Sequence, residues 1–587
     1  MSEDCICKIK PEYVLPEQKR EISLECISQK DKNVLNNAEA RAQGKDGNTR
    51  KSSGKIEKRK LKGQNKGRPT FKCDKGKELC NTLINSMDNQ KTLYNCNRNK
   101  CIFLHDIQEY LKVKPNDIGA ICYNYHISGK CDRGIGCRFG KHHISDNGNN
   151  VIDKEKYEKW SQNGPQVVNS LTSDLQQSLR KKQYDFSISE KLVKHNDELF
   201  RSKSESSKND SDVIKTIGSV TDEDVTKLLS REKKKLHVKN KLILSPLTTV
   251  GNLPFRRICK EFGADITCGE MAMCTALLQG APQEWALVKR HQSEDVFGVQ
   301  LCANNPHLLT KCGQLLEKEI NIDFIDLNLG CPIELVYKQG GGCGLLRRPR
   351  VLESCIRNIS DVLSIPLTIK TRMGVYNNEN IAHNLVPKFK EWGASAITVH
   401  GRSREQRYTK LADWDYIEKC AKTVHPFPII GNGDILSYED YKFAREKYQS
   451  ISAIMIGRGA LIKPWIFTEI KEQKLWDISS SERFDIIKKY VNYGLEHWGS
   501  DNRGVENTRR FLLEWLSFLY RYIPVGLLEV PPQKINERPP FYRGRDELET
   551  LMASPSAIDW IKISEMLLGP VPEGFQFLPK HKANSYK

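Results

Sequence analysis

From Lys241 onward, short apolar runs recur, most of them ending in polar or glycine-rich residues: KLILSPL, DITCGE, VFGVQLCA, FIDLNLGC, PLTIKTRMG, AITVHGR, PIIGNGDI and AIMIGRGAL. The segments between them have helical spacing. In PHLLTKCGQLLEKE, for example, Leu308, Leu309, Cys312, Leu315 and Leu316 fall on one face. Eight strands alternating with helices over roughly 230 residues predict an α/β fold, a TIM (β/α)8 barrel spanning 236–471. A doubly wound open sheet would usually have fewer strands, and no GxGxxG follows the first run. After about Glu472 the strand signal stops. ENTRRFLLEWLSFLYRYIP reads as a helix with Phe511, Leu512, Trp515, Phe518 and Leu519 inward and Arg509, Arg510 and Arg521 on a basic outer face. Residues 472–587 are therefore expected to form a helical domain.

Ahead of the barrel the pattern is different. Residues 1–72 are expected to be disordered. From Arg41 to Lys72 there are twelve Lys or Arg against two acids, with almost nothing apolar, and such a stretch buries too little surface to offset its ordering entropy. Residues 146–235 read as a polar linker, carrying runs such as SKSESSKNDSD, with one helical patch around Tyr184 to Phe200. The formal net charge of +19 over 587 residues favours a polyanionic partner. No apolar run is long enough to cross a bilayer, and MSEDCICKIKPEYVLPEQKR lacks the apolar core of a signal peptide. A cytoplasmic or nuclear location, no membrane partner and a monomer are expected. In such a reducing compartment the 19 cysteines should not pair as structural disulfides. Most, such as Cys259, Cys268 and Cys302, are expected to be small buried hydrophobes.

The others sort by spacing. Cys122-x8-Cys131-x5-Cys137-x5-His143 closely follows the CCCH pattern, whose three thiolates and one imidazole close a tetrahedral Zn2+ site. His142 competes as the fourth ligand. A second set in 73–145, Cys80-x15-Cys96-x4-Cys101-x3-His105, repeats the logic with a longer first gap, and Cys73 lies upstream as an alternative ligand. Fingers this small have little core, so metal would supply their folding energy. Tyr123, Tyr125 and Phe139, set among Lys130, Arg138 and Lys141, would suit stacking on unpaired bases.

In a TIM barrel the chemistry lies at the C-terminal ends of the strands. Here those ends carry Ser245-Pro246-Leu247-Thr248, Gln300, Asn328-Leu329-Gly330-Cys331-Pro332, Lys370-Thr371-Arg372, His400-Gly401-Arg402, Gly431-Asn432-Gly433-Asp434 and Gly457-Arg458-Gly459. Glycine turns after strands seven and eight are the usual phosphate cradle of this fold, so a phosphate-bearing cofactor or substrate is implied.

SPLTTVGNLPFRR, NLGCP, IKTR, VHGR, GNGDI and IGRGAL together resemble the tRNA-dihydrouridine synthases. The tail INERPPFYRGRDELETLMASPSAIDWIKISEMLLGPVPEGFQFLPKHKAN is similar to one eukaryotic branch, which also carries two CCCH fingers and acts at position 47 in the tRNA variable loop. The resemblance covers about residues 73–145 and 236–587. One departure is the Cys80–Cys96 gap, longer than the usual CCCH spacing.

The resemblance implies FMN, reduced by NADPH or NADH, and tRNA as partner, with mRNA open as a further RNA. It implies that Pro246, Leu247 and Thr248 line the flavin ring and that Gln300 bonds its edge. Lys370 and His400 would contact the flavin, while Asn432, Gly433, Asp434, Gly457 and Arg458 hold its phosphate. Asn328 and Arg402 would orient the uracil. Hydride at C6 of a uracil drives charge toward C5 and O4, so C5 needs a proton. A largely protonated thiol can give it, which makes Cys331 the candidate acid. A flavin reductase of small pyrimidines and an RNA-binding protein with an inactive barrel are the competing readings. The fingers and charge count against the first, and the Cys331, Lys370 and His400 set against the second.

Overall fold

The computed structural model describes residues 6–15, 73–88, 96, 100–145, 148–206 and 232–580. Its centre is a closed ring of eight parallel strands: β1 (Leu242–Leu244), β2 (Ile266–Cys268), β3 (Val296–Cys302), β4 (Phe324–Asn328), β5 (Leu367–Arg372), β6 (Ala396–His400), β7 (Ile429–Asn432) and β8 (Ala453–Ile456). Each pairs in parallel with its successor, and β8 closes on β1. The strands are buried on both faces because helices cover the outside and side chains fill the ring. Ile243, Phe324, Ile430 and Met455 pack in the interior. Helix Pro306–Glu319 buries Leu309, Cys312, Leu315 and Leu316 against the sheet, with Leu308 at its edge.

The expected linker is largely structure. Helices Lys154–Gln162, Ser173–Arg180 and Ser187–Ser206 follow one another, and Val167–Val168 pairs with Arg290–His291 beside the barrel. The third helix buries Leu192 and Val193, while Asn196 Nδ2 donates to Asn358 and Asp361 of a barrel helix. A few well-spaced apolar residues suffice here because a ready-made barrel surface completes their burial. Sequence averages over the segment hide them. Residues 207–231 lie outside the described residues. So do 16–72, including the basic stretch, but residues 6–15 are ordered against the C-terminal region. There Cys7 and Ile9 are buried with Ile523, Leu528 and Tyr542.

Helices Ser480–Trp498 and Asn502–Leu519 pack on the barrel, with Phe511 at the edge and Leu512, Trp515, Phe518 and Leu519 buried. The basic outer face needs correction. Arg510 is exposed, but Arg509 is fully buried. Its Nε faces the Glu506 carboxylate, Nη1 donates to Ser564 and Nη2 to the carbonyls of Leu568 and Gly569. The last carbonyls of helix Ala557–Leu568 lack intrahelical donors, and this guanidinium supplies them. Arg509→Ala leaves Glu506 buried with its hydrogen-bonded cation gone and Arg138 left to offset its charge. It is expected to cost about 3–5 kcal/mol, read as a lower denaturation midpoint of the C-terminal helices.

Candidate active site and metal centres

At the C-terminal rim of the barrel, one hydrogen-bond chain crosses three strands. Asp326, buried on β4, accepts from Thr368 Oγ1 at 2.7 Å and from Gln300 Nε2 at 2.7 Å. Gln300 Oε1 then accepts from Asn328 Nδ2 at 2.8 Å, and Asn328 Oδ1 accepts from the backbone N–H of Gly330 at 3.1 Å and Cys331 at 2.8 Å. A short polar side chain satisfying N–H groups two and three residues ahead is an Asx turn, and here it shapes the start of the loop holding Cys331. Gly342 completes the fit. At φ +54 it packs so closely that an added Cβ would lie 2.8 Å from Cys331 Cβ. The thiol is buried, and burial raises its pKa against the opposing pull of Arg372 and Arg404.

Cations crowd the remaining mouth. Lys370 Nζ lies 3.2 Å from Asn432 Oδ1. Burial first and Arg372 second bring its pKa down to about 8. His400 is held well below its usual range by burial and by Arg372, Lys370, Arg402 and Arg458, so its ring is neutral at pH 7. A neutral imidazole offers one N–H donor and one acceptor. Asp434 sits behind the glycine turns and accepts from Arg402 at 2.6 Å, Arg458 at 2.6 Å, the Ala412 N–H at 2.7 Å and Asn536 at 3.3 Å. Gly457 has room beside Ser245 and Leu247, while Gly433 (φ +147) could not carry a Cβ without striking Ala412.

Three of the expected site residues have partners within the protein itself. Arg402 is fully buried, donating to the Lys410 carbonyl and to Asp434, while its Nη1 is buried without a hydrogen-bond partner. Asn328 likewise has its oxygen engaged by its own loop. Asp434 serves through its carboxylate as the anchor of two arginines, and a carboxylate, itself an anion and acceptor, offers no donor to a phosphate. Pro246, Leu247 and Thr248 do follow β1 at the same rim.

The chain marks Arg372 at a strand end without giving it a role, and it gives no signal for Asp326 or Tyr408. Asp326 looks like an ordinary strand residue until its partners are known. Arg372 Nε donates to the Gly330 carbonyl and Nη1 to that of Ser403, joining the loops after β4 and β6. The Tyr408 ring, half exposed, lies 4.1 Å from the Arg458 guanidinium and 6.2 Å from the His400 ring. Partial burial would raise its phenol, but Arg372 and Arg458 outweigh it and pull the pKa below its ordinary value. No pattern in the chain marks a tyrosine in a loop as part of a cationic mouth.

Outside the barrel, Cys122, Cys131, Cys137 and His143 converge with ligand atoms within 4.8 Å of one another, as do Cys80, Cys96, Cys101 and His105. The Cys137–Cys122 sulfurs are 3.7 Å apart and Cys80–Cys96 are 3.9 Å apart. These are far too long for a disulfide at ~2.05 Å. They match two thiolates on one tetrahedral zinc, which ~2.3 Å bonds set about 3.8 Å apart. Both ring nitrogens of His143 are buried without a hydrogen-bond partner, and a metal would satisfy one of them. His143 rather than His142 belongs to this cluster, and Cys73 stands apart beside Asn502.

The fingers are not free-standing. The Arg138 N–H donates to the Ser500 carbonyl at 2.8 Å and its side chain to Asn502 at 2.9 Å, while Cys131 Sγ lies 3.5 Å from Ser500 Oγ. Of the expected base-stacking aromatics, Phe139 is buried and Tyr125 stacks on His143 at 5.4 Å. Tyr123 meets Tyr493 of the helical domain. These rings serve packing.

Fold and site define a barrel enzyme with a buried thiol beside a cationic, glycine-turned mouth. The Dihydrouridine synthase (Dus) family profile matches residues 243–517. A Xenopus tropicalis protein named "tRNA-dihydrouridine(47) synthase [NAD(P)(+)]-like" is 55% identical over 93% of this chain and 86% of its own length. Its Homo sapiens namesake is 52% identical over 90% and 85%. A Coprinopsis cinerea relative is 40% identical over 98% of both chains. The chain belongs to the dihydrouridine synthase family and is an oxidoreductase of that kind. Among the described residues, no helix is long and apolar enough to cross a membrane.

Lys370 gives a pH test. Below about pH 8 it is charged in both folded and unfolded protein, and its desolvation cost is full. From about 8 toward 10.5 the folded protein has released a proton that the unfolded chain still holds, so the cost fades and stability rises with pH. Lys370→Met is expected to stabilise the ligand-free protein by about 1–3 kcal/mol at pH 7. Denaturation at pH 7 and pH 10 should show that gain shrinking.

Proposed function

We propose that this enzyme reduces a uridine in tRNA to 5,6-dihydrouridine, at position 47, using FMN and NADPH or NADH. The observation carrying the reading is the fixed Cys331 loop beside the Lys370, His400 and Arg458 mouth. Bound and reduced, FMN supplies the hydride that C6 of the uracil accepts. The backbone of Asn432, Gly433 and Gly457 suits the phosphate, with the Arg458 cation beside it. Pro246, Leu247 and Thr248 form the wall, and Gln300, held by Asp326, has a second Nε2–H to offer. Lys370 would offer positive charge to an anionic reduced ring, and His400 would add a neutral donor.

Cys331 Sγ–H gives its proton to C5. A raised thiol pKa keeps the group protonated at neutral pH, so the donor form is the resting form. The target base is stacked in folded tRNA and has to be extruded into the mouth. Binding energy for that step would come from phosphate contacts of the basic chain, with the fingers and helical domain acting as one surface.

Mapping dihydrouridine in tRNA from cells with and without this protein tests the reading. Loss of the base at position 47 is expected, and unchanged tRNA overturns it. Cys331→Ala should keep flavin reduction by NADPH yet lose at least about 100-fold in dihydrouridine formation, and wild-type turnover would exclude it as the acid. Purified protein should carry two zinc ions. Cys137→Ser should lose one of them and weaken tRNA binding far more than flavin reduction; equal tRNA affinity would disprove a role for the fingers in binding.

A further inference from the structure

We infer that Arg404 is a positioning residue for the reduction: it clasps the loop bearing Cys331 to the loop after β6, across the barrel mouth. This rests on the function proposed above.

The loop after β4 is well fixed at its root, where Asn328 and Gly342 hold Cys331. Farther out it continues into the short helix Glu334–Lys338, whose flanking Ile333 and own Leu335 are exposed. Within the helix only Val336 is buried, packed with Cys302 and Cys331. Arg404 reaches the helix from the other side. Its Nη2 donates to Glu334 Oε2, and its guanidinium lies 3.8 Å from the centre of the Tyr337 ring. The Tyr337 hydroxyl in turn accepts from Arg347 Nη1 at 3.2 Å.

The base of the clasp is rigid. The Arg404 N–H donates to the Gly374 carbonyl at 3.0 Å, and the preceding Ser403 accepts from Arg372 through its carbonyl and donates to Asn377 through its hydroxyl. Arg404 is thus anchored in the loops after β5 and β6 and grips the loop after β4. An exposed ion pair alone contributes little, and the Glu334 carboxylate is exposed and shared with Lys338. A guanidinium plane stacked on an aromatic face adds a direction-dependent contact that a lysine reproduces poorly. Such a clasp orders a loop without holding up the fold, so variants should remain folded. Its position also matters electrostatically: the charged and titratable groups around Cys331 are Arg372 on β5, Arg404, Cys302 on β3 and Cys343 in the same loop.

The two half-reactions separate the clasp from a general structural role. Arg404→Ala, Arg404→Lys and Glu334→Ala would be reduced with NADPH and then reoxidised with saturating tRNA in single turnovers. With Arg404→Ala, reoxidation by tRNA is expected to slow about 10- to 100-fold, while flavin reduction changes less than about twofold. Arg404→Lys should recover only part of the loss. Arg404→Ala combined with Glu334→Ala should be no slower than Arg404→Ala alone, because both remove one contact. Removing a cation that favours the thiolate should move the alkaline limb of the reoxidation step to higher pH. Wild-type reoxidation rates, or a defect confined to tRNA affinity with an unmoved pH limb, would overturn the clasp. Wild-type enzyme that takes electrons from NADPH but never passes them to tRNA overturns the proposed function, and the clasp with it.

Discussion

A carboxylate removed from water inside a barrel needs partners, and the partners of Asp326 organise the reactive face of this protein. Isolated there, the charge would be costly. Thr368 and Gln300 supply it with donors. Gln300, fixed in orientation, presents its oxygen to Asn328, and Asn328 holds the first N–H groups of the Cys331 loop. The position of the thiol therefore follows from the register of β3, β4 and β5. Gln300 stands opposite Asp326, and Asp326 opposite Thr368.

The same mouth shows how charges are kept from collapsing onto one another. Lys370, Arg372, Arg402 and Arg458 share a small volume, and Asp434 neutralises two of them with bonds of 2.6 Å. What remains is an excess of positive potential at the rim, which adds to burial in lowering Lys370 and His400 and overcomes burial in lowering Tyr408. Groups with shifted protonation equilibria in one cleft are what an active site produces. The shifts also make sense of one another, since each neutral or weakened cation relieves its neighbours.

The fingers extend this economy of contact. A module this small has too little core of its own to be rigid, and here the second Cys/His cluster borrows one, docking through Arg138 and Cys131 on the start of helix Asn502–Leu519. Its aromatic residues face inward as a consequence. The N-terminal residues 6–15 and the helices of 154–206 behave in the same way, closing on surfaces that the barrel and its helical domain already provide.

Much of this was legible in the chain. Eight apolar runs with helices between them leave few alternatives to a barrel, since each buried parallel strand requires a covered crossover. The motif NLGCP places Cys331 at a strand end, glycine turns mark the seventh and eighth strands, and residue spacing marks both Cys/His clusters. These signals are local, carried by residues close in sequence. What the tertiary structure decided is which groups meet from far apart. Arg509 faces a helix end about sixty residues away, Asp434 takes Arg402 and Arg458, and Tyr408 and Arg404 join a mouth built by other strands. A side chain's charge and size are written in the sequence, but its partner depends on how the barrel closes, and closure brings together residues that no spacing along the chain connects.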